Sequence, residues 1–125
     1  LFLEDKMAAP NIVNVSSILG KTVFANVTTV ASNLVVNSAS SNKVFKVNSL
    51  IVPNVDGANT SNITVTINRS GTDFKVAHNV AVPLAATLVV VSKDTSVYME
   101  EGDYMRVTAG ANNHLHAVCS YEEIS

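Results

Sequence analysis

From Val97 to Ile124 the chain reads VYMEEGDYMRVTAGANNHLHAVCSYEEI, and apolar positions alternate with polar ones along most of it. Val97 and Met99 alternate with Tyr98 and Glu100. Met105, Val107 and Ala109 alternate with Tyr104, Arg106 and Thr108. Leu115, Ala117, Cys119 and Tyr121 alternate with His114, His116, Val118 and Ser120. A period of two sends successive side chains to opposite faces of an extended strand, so each run buries one face. Glu101-Gly102 and Gly110-Ala-Asn-Asn113 break the alternation with turn-forming residues. The pattern predicts a three-stranded antiparallel meander.

The preceding chain has the same character. Pro10 opens Asn11–Leu19, where Ile12 is followed by alternating Val13 and Val15. Beyond Gly20, Lys21–Val30 sets Val23, Ala25 and Val27 on one side. Val23, Val27, Val30 and Leu34 also fall at helical spacing, so a helix within residues 21–36 is the alternative. Thr, Asn and Val are mediocre helix formers and no strong cap precedes them, which favours a strand. Leu34–Asn37 leads into the polar turn Ser38–Asn42. Lys43–Val52 alternates until Pro53, a residue that cannot donate to a ladder. The loop Asn54–Thr60 carries the turn pair Asp56-Gly57. Asn62–Arg69 is the cleanest strand, with Ile63, Val65 and Ile67 inward and Thr64, Thr66 and Asn68 outward. Ser70-Gly71-Thr72 closes a hairpin onto Asp73–His78, where Phe74 and Val76 share a side. After Asn79 and Pro83, the apolar run Leu84–Ser92 reads as a central strand covered on both faces. Lys93-Asp94-Thr95 turns into the C-terminal strands. About eight to ten short strands follow, an all-β class: an antiparallel β-sandwich, jelly-roll-like.

At 125 residues the chain suits one domain. Residues 1–6 read as an upstream or vector-derived leader before Met7, and 7–125 as a single β-sandwich domain. Charged residues make up 14% of the chain, against about 25% in an ordinary soluble domain. Val, Asn, Ser, Thr and Ala take their place, a surface chemistry common in assembled β-proteins. Net charge is −2, and Lys and Arg are spread singly, so nothing marks a nucleic-acid footprint. No apolar run approaches membrane-spanning length, and the first residues lack the features of a signal peptide. Cys119 falls on the inward face and has no cysteine to pair with in the chain.

Few residues invite chemistry. His114 and His116, two apart on a strand, share a face at a usable metal-ligand spacing. Zinc needs one or two further ligands, and only His78, Glu122 and Glu123 offer themselves. A plain surface pair is the more ordinary arrangement, so no metal or cofactor is expected. Glu100, Glu101 and Asp103 surround Gly102, yet no calcium-loop pattern frames them, and acidic turn tips are ordinarily solvated. No nucleophile elbow, zinc-protease, paired-cysteine, phosphate-loop or dinucleotide motif occurs, so no catalytic residue is expected. Glycosylation sequons at Asn14, Asn26, Asn59, Asn62 and Asn68 are what chance provides in a chain this rich in Asn, Ser and Thr.

Three stretches carry a family resemblance: AAPNIVNVSSILGKT (Ala8–Thr22), SNKVFKVNSLIVPNVDG (Ser41–Gly57), and Val89–Ser125, which includes VVVSKDTSVYMEEGDYMRVTA and AVCSYEEIS. They resemble small virion structural proteins of T4-like tailed phages that infect marine cyanobacteria, the cyanophages, over nearly the whole chain from Met7. The resemblance implies a particle component assembled in the host cytoplasm, with other virion proteins as neighbours, and carries over no active-site residue. It agrees with a low-charge β-domain whose edge strands need covering, which a homo-oligomer achieves. The alternative is a carbohydrate- or surface-binding sandwich at the tip of an adhesion device. The absence of Trp, with only Tyr98 and Tyr104 as exposed candidates, counts against a surface glycan as ligand. A cupin-like metal enzyme requires His78, His114 and His116 to converge with a carboxylate.

Overall fold

The computed structural model describes residues 17–125, so the expected leader, the start at Met7 and the first part of the Asn11–Leu19 strand lie outside the described residues. Nine strands follow: β1 (Ile18–Val27), β2 (Ser32–Val36), β3 (Val44–Pro53), β4 (Ser61–Arg69), β5 (Thr72–Val82), β6 (Thr87–Val91), β7 (Val97–Met99), β8 (Tyr104–Ala109) and β9 (Leu115–Ile124). They form two antiparallel sheets. One runs β1-β9-β3-β6, with β7 also on β3; the other runs β2-β8-β4-β5. The first and last strands are neighbours, and each sheet interleaves strands from both halves of the chain. That order is a jelly roll, in which β6 and β7 share one edge position, separated by the 3-10 turn Lys93–Thr95.

Alternation explains the core. Val27, Val47, Leu50, Val52, Met99, Leu115, Ala117 and Cys119 project from one sheet onto Val35, Ile63, Val65, Val82, Met105 and Val107 of the other. All are 0–2% exposed. Each buried Val or Leu contributes roughly 1.5–3 kcal/mol relative to exposure, so these facing rows hold the sandwich shut. Residues 21–36 are strands, separated by Thr28–Ala31, and the helical alternative falls away.

Two expectations are corrected. The C-terminal strands are not a meander: β7 pairs with β3, β8 with β2 and β4, and β9 with β1 and β3. Glu100–Asp103 and Gly110–His114 carry the chain from sheet to sheet instead of folding it back on itself, and alternation alone cannot separate those two courses. Nor is Leu84–Ser92 a central strand. Only Thr87–Val91 is extended, it pairs with β3 alone, and Leu84 and Val89 are 47% and 57% exposed. A register shift against Leu50 and Ile51 interrupts the alternation between Val89 and Val91, so that Val91 is buried while Val89 is exposed. A smaller departure occurs at Asn79, which does not end its strand. β5 continues to Val82 through a register shift, with Asn79 at φ 49° and its N–H bonded to Thr64 Oγ1 at 3.0 Å.

The tight connections follow turn chemistry. Ser70 (φ 55°) and Gly71 (φ 84°) form a two-residue hairpin loop with both central residues left-handed, as strand twist prefers. Between β5 and β6, Ala86 N–H reaches Pro83 O at 3.1 Å around Ala85, an exposed residue at φ 58°. A left-handed alanine is strained by about 1 kcal/mol or more, whereas glycine is not. Ala85→Gly is therefore expected to raise stability by about 0.5–1 kcal/mol and Gly71→Ala to lower it by about 1 kcal/mol, read from urea denaturation midpoints at constant slope.

Candidate functional site

The acidic residues around Gly102 are structural fastenings. Asp103 is 1% exposed, not a solvated turn tip. Its carboxylate accepts from Arg69 Nε at 2.9 Å, Arg69 Nη2 at 2.6 Å and Glu100 N–H at 2.8 Å. The hydrogen bonds Arg69 donates to Asp103 raise the Arg69 pKa, so the guanidinium stays charged. Glu100 is exposed at the rim of that pair, and Glu101 accepts from the Asn42 backbone. Asn37 completes the end of the sandwich. Its amide donates to Lys43 O and Met99 O at 3.0 and 3.1 Å, while its own carbonyl accepts from Gly102 N–H. At the opposite end Asn54 donates to Asn59 O and Val82 O, both at 3.0 Å.

Glu123 is a second buried carboxylate, 7% exposed, gripped by Lys21 at 2.9 Å and Lys43 at 3.0 Å. These lysines are distant in sequence, so single-residue spacing gave no sign that they converge. Cys119 is buried and free, and burial pushes its thiol up to about 12, the opposite of an activated nucleophile.

The histidines go to separate places. His114 lies half-buried with Nε2 3.8 Å from Asp56 Oδ2. His116 is exposed on the outer side of β9, and His78 is exposed on β5 in the other sheet. Among the described residues no group of three or more His, Cys, Asp or Glu is placed to hold a metal ion. The convergence a cupin-like metal enzyme requires does not form.

The two outer faces differ in chemistry. Outside β2-β8-β4-β5 lie Thr64, Thr66, Asn68 and Thr108, with Arg106 set 3.6 Å from Asp73 and stacked over Tyr104. Outside β1-β9-β3-β6 an apolar row crosses all four strands in register: Phe24 opposite Val118, Val118 opposite Ile51, Ile51 opposite Val89. Phe24 is 74% exposed and Val89 57%. Thr22 and Ser120, hydrogen-bonded at 3.2 Å, flank the row on one side, and Asn26 and His116 flank it on the other. Beside Phe24 is a shallow hollow of about 270 Å³ bounded by Asn26, His116 and Val118. Sequence reading concentrated on titratable residues and passed over this row. Its signal was present, since Val118 and Phe24 occupy positions where the alternation demands polar residues.

No protein-family model and no curated relative matches the sequence. Two solved structures align with it over most of both chains. A chain from the acid-stable capsid of the Helicobacter pylori bacteriophage KHP30 aligns with a TM-score of 0.51 and 9% identity, covering 90% of each chain. A chain from the disulfide-linked pili that form Bacillus endospore appendages aligns with a TM-score of 0.49 and 12% identity, covering 87% of this chain and 88% of that one. At 9% identity the likeness to the capsid chain is one of fold, and the class it defines is the all-β, two-sheet jelly roll.

Glu123 supplies a pH test of these fastenings. Burial pushes its carboxyl up, but the hydrogen bonds and charges of Lys21 and Lys43 outweigh this and leave it below its ordinary value. A carboxyl lowered on folding contributes stability at pH above its unfolded value, and that contribution is lost as pH falls through the lower folded value. Melting temperature is expected to drop as pH falls below about 4.5, and Glu123→Gln, already lacking the contribution, to show a flatter acid limb.

Proposed function

We propose that this chain is a non-enzymatic structural protein of a virion, acting through protein–protein contacts with copies of itself and with neighbouring particle proteins. The observation that carries the reading is the apolar row outside β1-β9-β3-β6, while among the described residues the buried carboxylates of Asp103 and Glu123 are committed to holding strand ends. An exposed aromatic beside aliphatic neighbours, rimmed by uncharged polar groups, is the make-up of a protein contact surface. A jelly roll is one of the architectures used in viral capsids, though fold does not assign function by itself. The capsid chain of similar fold and the resemblance to small virion proteins of T4-like cyanophages support the same reading. Within such a particle the chain serves in capsid decoration, in the neck or in a tail or fibre component, built into the virion in the host cytoplasm.

A glycan-binding role has less support. Phe24 lies on β1 and Tyr98 on β7, with β9 and β3 between them, so these exposed aromatics form no stacking platform.

Light scattering over a wide concentration range tests the proposal. A mass above that of one 13.2 kDa chain, insensitive to chelator, is expected. A single-chain mass at every concentration contradicts it.

A further inference from the structure

Among the described residues three features stand apart: the Lys21–Glu123–Lys43 cluster, the His114–Asp56 pair, and the outer face of β1-β9-β3-β6. The lysines are satisfied by the carboxylate between them, and the histidine pair lacks further ligands. The outer face carries an inference that deepens the assembly reading and rests on it. We propose that this face binds a second copy of the same chain about a two-fold axis, with Phe24 of each copy seated in the hollow beside Phe24 of the other.

Self-complementarity points to a second copy. The projecting group and the recess that would receive it sit side by side on one face: the ring of Phe24 stands out, and the hollow opens between it, His116 and Val118. A two-fold axis between two such faces brings each projection to the other's recess, and the contact then closes on itself as a dimer instead of continuing as a filament. At about 270 Å³ the hollow is smaller than the roughly 300–1,000 Å³ of sites that take small molecules, and it is open along one side. It suits one inserted side chain.

The area agrees. Four strands about 4.8 Å apart and, along β9, ten residues rising about 3.4 Å each present a face of roughly 650 Å² before side-chain relief. A stable dimer buries about 800 Å² on each partner. Charge also permits the contact. Near the apolar row the face is uncharged, and where charge appears, Lys46 stands directly opposite Glu122. Like charges are therefore not forced together when the face meets its copy. The outer face of the other sheet, with Arg106, Asp73 and Lys75, is suited to remain in water.

Full-length Phe24→Ser, Val118→Lys and Phe74→Ser variants test this. Each is checked for folding by circular dichroism melting and then weighed by sedimentation equilibrium beside the parent. Phe74 is the control, an aromatic 59% exposed on the opposite sheet's edge strand. Phe24 is exposed and Val118 half-buried, so Phe24→Ser is expected to fold normally even where Val118→Lys does not. Phe24→Ser is expected to weaken self-association at least tenfold, Val118→Lys to abolish it, and Phe74→Ser to leave it unchanged. Parent-like association of the folded Phe24→Ser variant overturns this interface while leaving the assembly reading standing, as does equal loss in Phe24→Ser and Phe74→Ser. A monomeric parent overturns the assembly reading and the interface with it.

Discussion

The inner faces of the two sheets stay dry only if a backbone that changes sheet at almost every connection can close both ends of the sandwich. From β1 the chain passes to β2 in the other sheet, returns for β3, and crosses again for β4. Only the β4–β5 hairpin and the broken β6–β7 edge remain within one sheet. Each crossing carries peptide groups past the end of an apolar core, where an unpaired buried N–H or C=O is costly. Asn37 and Asn54 answer that need by bonding the carbonyls of loops that meet at opposite ends, and Asp103 holds Arg69 across a third connection. Closure thus accounts for the buried side chains of Asn37, Asn54 and Asp103. Function must be sought on the surface that closure leaves free.

Legibility in the sequence followed the range of the interactions. The class, the strands and the inward set Ile63, Val65, Met105, Val107, Leu115 and Ala117 were readable because alternation is local. The hairpin at Ser70-Gly71 was readable because two left-handed residues have a compositional mark. Pairing was not. The turn residues at Gly102 and at Gly110–Asn113 look the same whether the chain folds back on itself or crosses to the other sheet, so β7, β8 and β9 were expected to pair with one another and do not. Leu88, Val89 and Val90 similarly concealed an edge, since apolar type reveals no direction once both faces of a strand are apolar.

The candidate surface was half legible. Phe24 and Val118 break the inside-outside rule of their own strands, which a reading of each strand shows. Their alignment with Ile51 and Val89 depends on β9 lying between β1 and β3, a long-range fact that no local pattern holds. The acidic residues illustrate the converse error. Asp103 and Glu123 sit in clusters that look solvated in sequence, and both are buried by partners 34 and 80 residues away.

The most direct test of the account is fluorine NMR of the protein carrying fluorophenylalanine, recorded as concentration rises. Phe24 and Phe74 start exposed and report on the two sheets separately. The account predicts that the Phe24 resonance shifts and loses its response to a soluble paramagnetic probe as copies associate, while Phe74 keeps that response. An association that protects Phe74 and leaves Phe24 open to the probe would contradict it.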